Sequence, residues 1–566
     1  MMFEKNLSDL VVQILVDAGV KRAYGVPGDA TDLILASIHK RKDIDFFLTR
    51  HEEGAGFMAS AASKLTGELG VVLTAQGPGA AHMLNAMYDA KLDKVPMLVI
   101  TGQVESAMIG TNTVQEINQI LLFEDVACFN REVRSANNLV DVLQLAIQTA
   151  YVKKGVAHVS IATDVLRKSM IKYVSNTAAY HLPHHLIPDD QILQKAADIL
   201  NSKKNVTILY GGGCLHAREE LLAVAEILSA PIVHTVRSKD IIDNNHPHYA
   251  GGIGFKGSKN GCHFVKDCDA LLIVGCSFAW RQFYPSAVPI IQIDNDPSKI
   301  GIRCNLEIGL LGDAKKSLKL LASKLQKKSE STFLKEAQAS HIKAIETLDK
   351  QAMLKNDAHL VESPMLTYII SKYLSEDAVV TVDAGTVSVW ANNWLRLNGK
   401  QRLIGSTELG TMGYGMPAAL GCQVAMPNRQ VVALCGDGGF QMTMADFSTA
   451  VKYNLPITVV IYNNFAYRFI ELEQMHEGVA LCYTKLNNPD YAKLAETFGG
   501  VGFTVTKPSE IEPAIQQAFA SKKPAIVDVH VDPNELIKPT HLTLSMISHF
   551  IESTMKSKLA KSNDQY

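Results

Sequence analysis

The sequence predicts an α/β protein of three doubly wound domains, each built on a parallel sheet. Three observations predict it. The chain has 566 residues, more than one hydrophobic core organises, so two to four domains of roughly 100 to 200 residues are expected, with three the natural number. Short runs rich in Val, Ile and Leu alternate with helical patterns in three separate blocks, as parallel strands joined by crossover helices do. Glycines follow several of those runs, at the carboxyl edge where ligands of open α/β sheets bind.

Taken in order, residues 1–180 form the first block. It opens on "MMFEKNLSDLVVQILVDAGV", whose Leu, Val and Ile spacing suits an amphipathic helix and lacks the basic segment, long apolar core and cleavage site of a leader. Its strand candidates are "AYGVPG", "DIDFFLT", "LGVVLTAQGPG", "VPMLVITG" and "GVAHVSIATD". The polar "YHLPHHLIPDD" reads as a linker, with His184 and His185 as solvated linker histidines rather than metal ligands.

Residues 186–330 form the second block, with "NVTILYGGG", "APIVHTV", "CDALLIVGCSF" and "VPIIQIDNDPSKIG", closing near "LLGDAKKSLKLLASKLQ". A charged helical connector covers 331–357. The third block, 358–538, carries "DAVVTVDAG", "RQVVALCGDGG", "LPITVVIYNN" and "KPAIVDVHVD". Blocks one and three are candidates for diverged copies of one architecture, although no sequence repeat establishes it. The tail, 539–566, holds Leu542, Leu544, Met546, Ile547, Phe550, Ile551 and Met555 at partly helical spacing. Packing on its own subunit is the plain reading; weak peripheral membrane or quinone contact is the alternative.

Hydrophobic residues make up 47% and charged residues 20%, with a formal net charge of -2, the balance of an ordinary soluble globular protein. Nucleic-acid binding has no electrostatic support. No run reaches the roughly 18 apolar residues of a membrane span. The nine cysteines are scattered without a CxxC pair, which favours reduced thiols over disulfides or a zinc site. A cytoplasmic enzyme is the expected class.

In "VVALCGDGGF" an apolar strand runs into Gly436, Asp437, Gly438 and Gly439 and then a helix. Such glycines let the backbone approach a phosphate, and helix-start amides suit an anion. Twenty-seven residues after Asp437, beyond a helix and "LPITVVIY", Asn464 reaches the same sheet edge. A carboxylate, an amide oxygen and a nearby main-chain carbonyl make a hard-oxygen set suited to Mg²⁺. Two ordinary tight turns are the plain alternative.

GDG followed by NN at this spacing resembles the signature of thiamine diphosphate enzymes. From about residue 5 to 535 the chain resembles their pyruvate oxidase and acetolactate synthase group. The resemblance implies a pyrimidine-binding first domain, a central domain of FAD-binding type and a diphosphate-binding third domain. It implies that Asp437, Asn464 and the main-chain carbonyl of Ala466 bind Mg²⁺. Gly385 and Thr386 in "DAGT" would help hold the diphosphate. In "ELGTMGYG", Gly410 and Thr411 would reach the cofactor and Met412 would be the wedge that bends it; core packing is the alternative for Met412.

"FFLTRHEEGAGF" matches the family's strand-then-RHE pattern at Glu52. A glutamate hydrogen-bonded to a ring nitrogen can shift the aminopyrimidine to its imino tautomer, which then takes the proton from the thiazolium carbon. A charged helix start is the plain alternative, and Glu53 is expected to be a solvated neighbour. "GVPGD" and "QGPG" match cleft loops, and Gln115 in "TVQE" matches a glutamine near the substrate. In this family the glutamate and the diphosphate site meet across two subunits, which implies a homodimer or homotetramer acting on a 2-keto acid.

"LYGGGCLHAREE" invites a dinucleotide fingerprint, but Gly211, Gly213 and His216 break GxGxxG at its last glycine. The block instead resembles the family's flavin-binding central domain. Carried over, Gly254, Phe255, Ser277, Phe278 and Asp294 would contact FAD.

Members of this group decarboxylate a 2-keto acid and differ in where the resulting carbanion goes. Phe469-x-x-x-Glu473 in "NNFAYRFIELEQM" resembles the oxidase pattern, and "CSFAWRQFYP", "VRSKD" and "LNGKQRLIGS" resemble the quinone-linked pyruvate oxidase type. The expected activity is oxidative decarboxylation of pyruvate with FAD, with Glu52, Gln115 and Glu473 catalytic; acetolactate synthase is the alternative. Three departures stand out: Val114 replaces an aromatic residue often found before the cleft glutamine, the tail is shorter than in the membrane-activated enzyme, and Arg468 is unexpected and suggests an acidic group on the substrate or acceptor.

Overall fold

The computed structural model describes residues 6–175, 180, 186–353, 357–535, 537 and 544–559. His184, His185 and Leu542 lie outside them. The described residues form three six-stranded, wholly parallel sheets.

The first sheet comprises β1 (Arg22–Gly25), β2 (Asp45–Leu48), β3 (Gly70–Thr74), β4 (Met97–Gln103), β5 (Phe129–Val133) and β6 (Val156–Ala162), in the order β2-β1-β3-β4-β6-β5. The second has β7 (Val206–Tyr210), β8 (Ile232–His234), β9 (Tyr249–Gly252), β10 (Ala270–Val274), β11 (Ile290–Asp294) and β12 (Ile308–Leu311), ordered β12-β11-β10-β7-β8-β9. The third has β13 (Val379–Val382), β14 (Arg402–Gly405), β15 (Val431–Gly436), β16 (Thr458–Asn463), β17 (Val501–Val505) and β18 (Ala525–His530), ordered β14-β13-β15-β16-β18-β17.

The first and third sheets therefore share one strand order. In each, the first strand is flanked by the second on one side and the third on the other, so the loops leaving the first and third strands diverge and open a crevice. The switch falls between β1 and β3 in one sheet and between β13 and β15 in the other. The central sheet has the order of a dinucleotide-binding fold, with its switch between β7 and β10.

Sequence explains the layering. β4 and β6 are buried at every position, as strands covered by helices on both faces must be. The edge strand β5, "FNREV", is mostly half-exposed. The first and third domains share one continuous core, in which the helix Glu52–Thr66 packs on the helix Gly415–Ala425. Phe57 meets Tyr414 edge-on, ring centroids 5.3 Å apart. A Cβ added at Gly421 would lie 2.7 Å from the Met58 Cα, so only glycine lets these two backbones approach this closely.

The helix Thr332–Met353 lies between the central and third domains. Its Phe333 packs edge-on against Phe264 at 5.0 Å, and Asp349 pairs with Arg396 at 2.8 Å. The tail helix Leu544–Leu559 lies against the helix Arg468–His476 and the turn after it. Ser553 donates to the Val479 carbonyl at 2.5 Å, and Ser557 accepts from the Leu481 N–H at 2.9 Å. Among the described residues no helix is long and apolar enough to cross a membrane.

Candidate active site

Three adjacent strands of the third sheet deliver the predicted residues to one edge. β13 ends before Asp383, Gly385 and Thr386, β15 ends at Gly436, and β16 ends at Asn463 beside Asn464. A Cβ added at Gly385, Gly410 or Gly436 would meet nothing within 4 Å. Gly385 (φ 122°) and Gly410 (φ 68°) also need backbone angles that glycine alone adopts freely. The edge is thus an open cradle lined by bare backbone.

Asp437 begins the helix Asp437–Thr443 and is 2% exposed. Its Oδ2 accepts from Asn488 Nδ2 at 2.7 Å, and the N–H groups of Gly438 and Phe465 turn toward it. Burial pushes its pKa up to about 6 despite these donors. The Phe465 amide places the carboxyl beside the turn that carries Asn464 and Ala466. There Asn464 Oδ1 accepts from the Ala466 N–H at 3.1 Å, and Phe465 is held at φ 57°. The two asparagines divide their work. Asn463 is tied into the sheet, donating to Asp528 at 2.9 Å and accepting from Asn488 at 2.8 Å. The donor set fits Mg²⁺: a buried carboxyl with no cation partner among the described residues, an amide oxygen and a main-chain carbonyl, all hard oxygens.

Asp383 was not singled out by sequence, yet it touches three of these loops. Its Oδ1 accepts from the Ala384 N–H at 2.8 Å, and the N–H groups of Gly413, Tyr414 and Gly415 turn toward its carboxyl. A Cβ at Gly439 would lie 2.5 Å from its Oδ2, which is buried without a hydrogen-bond partner among the described residues. Burial pushes its pKa up to about 7. The half-buried Met412 lies between Gly410 and this anchored turn.

In the first domain the loops after β1 and β3 meet at the switch point. A Cβ at Gly28 would lie 2.5 Å from the Ala75 Cβ. Gln76 donates to Asp29 Oδ1 at 3.3 Å and to Gln115 Oε1 at 3.2 Å, and Gln115 itself has φ 64°. The "GVPGD", "QGPG" and "TVQE" segments are therefore one cluster, with Gln115 exposed at its rim. Val114 beside it is 85% exposed.

Glu52 opens the helix Glu52–Thr66 with its side chain mostly buried, its Oε2 2.9 Å from His82 Nδ1. Its Oε1 faces Gly79, where an added Cβ would come within 3.2 Å. His82 stacks on His51, ring centroids 4.4 Å apart. His51, Glu52 and His82 bring ligand-type atoms within 4.8 Å of one another. Stacked rings point their in-plane lone pairs side by side rather than at one ion, and His51 Nδ1 already accepts from the Glu53 N–H at 3.2 Å. Glu53 is not merely a solvated neighbour: its carboxylate accepts from Asn85, which also donates to Thr411 at 2.9 Å. This chain joins the first domain to the loop carrying Gly410, Thr411 and Met412.

After the asparagines the helix Arg468–His476 carries the half-buried Phe469 and the exposed Glu473. The buried acid is Glu471, 0% exposed, between Arg468 Nη1 at 2.7 Å, Lys485 Nζ at 2.9 Å and Thr484 Oγ1 at 3.0 Å. Burial works to raise its pKa, but Lys485, Arg468 and Thr484 outweigh it and hold the carboxyl below its usual range. Arg468 also donates to the Glu535 carbonyl. The expectation that Arg468 selects an acidic substrate group is thus corrected, since the chain supplies its partners.

In the central domain the predicted residues surround the ends of β9, β10 and β11. Gly254 (φ 96°) lies against Phe278, whose Cζ would be 2.9 Å from an added Cβ. Phe255 packs edge-on against Trp280 and Phe283 at 5.0 and 5.3 Å, and both Phe255 and Trp280 are about half exposed. Ser277 precedes Phe278. Asp294 ends β11, with burial raising its pKa and its Oδ1 accepting from the Asp296 N–H at 3.0 Å. Gly211 and Gly213 pack against Gly275 across the switch point. Open aromatics and a strand-end carboxyl across a dinucleotide-type sheet fit an extended flavin dinucleotide.

Three family models match the chain. "Thiamine pyrophosphate enzyme, N-terminal TPP binding domain" covers residues 5–122, its central domain 193–321 and its C-terminal TPP binding domain 383–529. The chain is 39% identical over 561 residues to the Bacillus subtilis protein YdaP, whose name infers thiamine pyrophosphate but gives no reaction, covering 98% of this chain and 96% of that one. It is 31% identical over 531 residues to pyruvate oxidase of Lactiplantibacillus plantarum, covering 92% and 87%. It is 30% identical over 555 residues to the acetolactate synthase isozyme 3 large subunit of Escherichia coli, covering 94% and 96%.

Proposed function

The chain belongs to the thiamine pyrophosphate enzyme family, in its pyruvate oxidase and acetolactate synthase group, and we propose that it decarboxylates pyruvate oxidatively with thiamine diphosphate, Mg²⁺ and FAD. The observation that carries the proposal is the convergence of Asp437, Asn464 and Ala466 beside open backbone at Gly385, Gly410 and Gly436. Bound thiamine diphosphate supplies the electron sink for loss of carbon dioxide, and bound FAD the two-electron acceptor.

The chain's own residues would do the rest. Asp437, Asn464 and the Ala466 carbonyl hold the metal, while Thr386 and the bare backbone of Gly436, Gly438 and Gly439 take the diphosphate. Thr411 would contact the cofactor and Met412 would serve as the wedge that bends it. Glu52 holds a proton on a carboxylate oxygen against the aminopyrimidine. Gln115 and Glu473 line the 2-keto acid end. Gly254, Phe255, Ser277, Phe278 and Asp294 hold FAD.

Glu52 has its hydrogen-bond partner, His82, within its own domain. A homodimer or homotetramer, with Glu52 facing the diphosphate site of the partner, completes the proposed site. We place the domains at 1–180, 186–330 and 358–538, joined by the 331–357 connector, in a cytoplasmic enzyme. The tail at 539–566 serves as a brace, with peripheral contact at the inner face of the membrane as its alternative role.

Oxidase over acetolactate synthase is supported by Phe469-x-x-x-Glu473; the relatives include both enzymes at similar identity. The test is carbon dioxide release from pyruvate by protein reconstituted with the three cofactors. Release should require thiamine diphosphate and Mg²⁺ and be lost in Glu52→Gln; release unchanged in Glu52→Gln would sink the proposal.

A further inference from the structure

We propose that His82 is a positioning residue for Glu52: its Nδ1–H holds Oε2 so that Oε1 is the oxygen offered to the cofactor ring. The inference rests on the reading of Glu52 as the cofactor's proton partner. A carboxylate on the first turn of a helix has several rotamers, and two equivalent oxygens, available to it. Proton exchange with a ring nitrogen needs one oxygen, in one place.

Five observations fix it. Glu52 Oε2 lies 2.9 Å from His82 Nδ1; with the exchanging proton carried on Oε1, Oε2 is an acceptor only, so the imidazole nitrogen donates. His82 is the last residue of the short helix Pro78–His82, started by the Gly77 turn, so the chain sets its position. His82 stacks at 4.4 Å on His51, itself anchored by accepting the Glu53 N–H. The other oxygen, Oε1, lies against Gly79, where a Cβ would crowd both Oε1 and Thr74 Oγ1. Thr74 Oγ1 is buried with no hydrogen-bond partner among the described residues. The Gly79 side, where both oxygens lie near the bare glycine, is thus the one with hydrogen bonding left open.

The test uses the full-length protein loaded with thiamine diphosphate and Mg²⁺. The readouts are the hydrogen–deuterium exchange rate at the cofactor's thiazolium carbon, followed by acid quench and proton NMR, and the cofactor's dissociation constant. His82→Ala should slow exchange roughly 10- to 100-fold, the scale of a catalytic group displaced by about an ångström, with cofactor affinity nearly unchanged. His82→Asn, whose side-chain amide donates from near the Nδ1 position, should recover most of the rate. His82→Gln, which carries its amide farther out, should remain slow.

Exchange at the parent rate in His82→Ala would overturn the inference. So would a loss of cofactor affinity that accounts for the slowing, which makes His82 a structural residue. If His82→Ala does not fold, the contrast between the Asn and Gln variants decides, and equal rates in the two would overturn it. Glu52→Gln run alongside separates the premise: parent-rate exchange there means that the Glu52 reading has failed, whatever His82 does.

Discussion

Lys64 and Asp93 form a buried ion pair, Nζ to Oδ2 2.6 Å, where all three domains meet. Lys64 also reaches Asp89 at 2.9 Å and the Gly405 carbonyl at 3.1 Å, and its ammonium sits 4.6 Å from the centre of the Tyr414 ring. Asp93 accepts from Thr407 Oγ1 at 2.9 Å and faces Arg237 of the central domain at 3.5 Å. Burial opposes its charge, yet Lys64 and Arg237 hold its carboxyl below the usual range. The segment from Gly405 to Tyr414, which carries Met412, is thus held by Lys64 and Asp93 of the first domain, with Arg237 of the central domain bracing Asp93.

Lys64→Met should therefore destabilise the protein by about 3 to 5 kcal/mol, because it leaves the buried Asp89 without its cation and Asp93 with Arg237 alone. Urea or thermal unfolding monitors it. A loss below about 1 kcal/mol would show that the carboxylates find other partners.

Asp437 gives a pH prediction. Its folded pKa of about 6 lies above the roughly 3.9 of an unfolded Asp. Between those values the native state binds more protons than the unfolded one, so this group's contribution to stability falls as pH rises through that window. Mg²⁺ requires the carboxylate form and should bind more tightly as pH passes about 6, offsetting the loss. Melting temperatures with and without Mg²⁺ from pH 4.5 to 7.5 check both signs. Asp383, Asp446 and Glu535 are also shifted upward by burial, so the difference between the parent and Asp437→Asn isolates the effect.

Removing residues 544–566 should free the turn after the helix Arg468–His476. That turn is held by Ser553, by Lys556 on the Gly478 carbonyl at 3.1 Å, and by His549 on the His476 carbonyl at 2.7 Å. Amide exchange over residues 476–482 should rise at least about tenfold while the three sheets keep their protection, since local opening need not involve the core. Sedimentation of the intact and shortened chains with anionic vesicles tests the membrane role. Equal vesicle binding by the two would remove it.

The inner strands were legible because parallel strands covered on both faces read as unbroken apolar runs, as in "VPMLVITG" and "LPITVVIYNN". The strands that sequence missed, β5, β9, β12, β14 and β17, are all sheet edges. An edge strand buries one side and mixes its residues: "FNREV" and "VGFTV" are mostly half-exposed, and "YAGG" is too glycine-rich to look like a strand.

The candidate site was legible where chemistry and spacing coincide, at Asp437, Asn464 and Glu52. Asp383 could have been noticed as a lone carboxylate ending "VVTVD", but its contacts with Gly439 and the 413–415 turn depend on tertiary packing. Asn488 and His82 carry no local signal at all. Arg468 was misread because its partner lies only three residues away, on the same helix.

The most direct test of the proposed reaction is the absorption spectrum of the protein loaded with thiamine diphosphate, Mg²⁺ and FAD, before and after anaerobic addition of pyruvate. Oxidative decarboxylation predicts that the flavin band bleaches as carbon dioxide is released. A flavin that stays oxidised while acetolactate accumulates, or a protein that takes up no FAD, would contradict it.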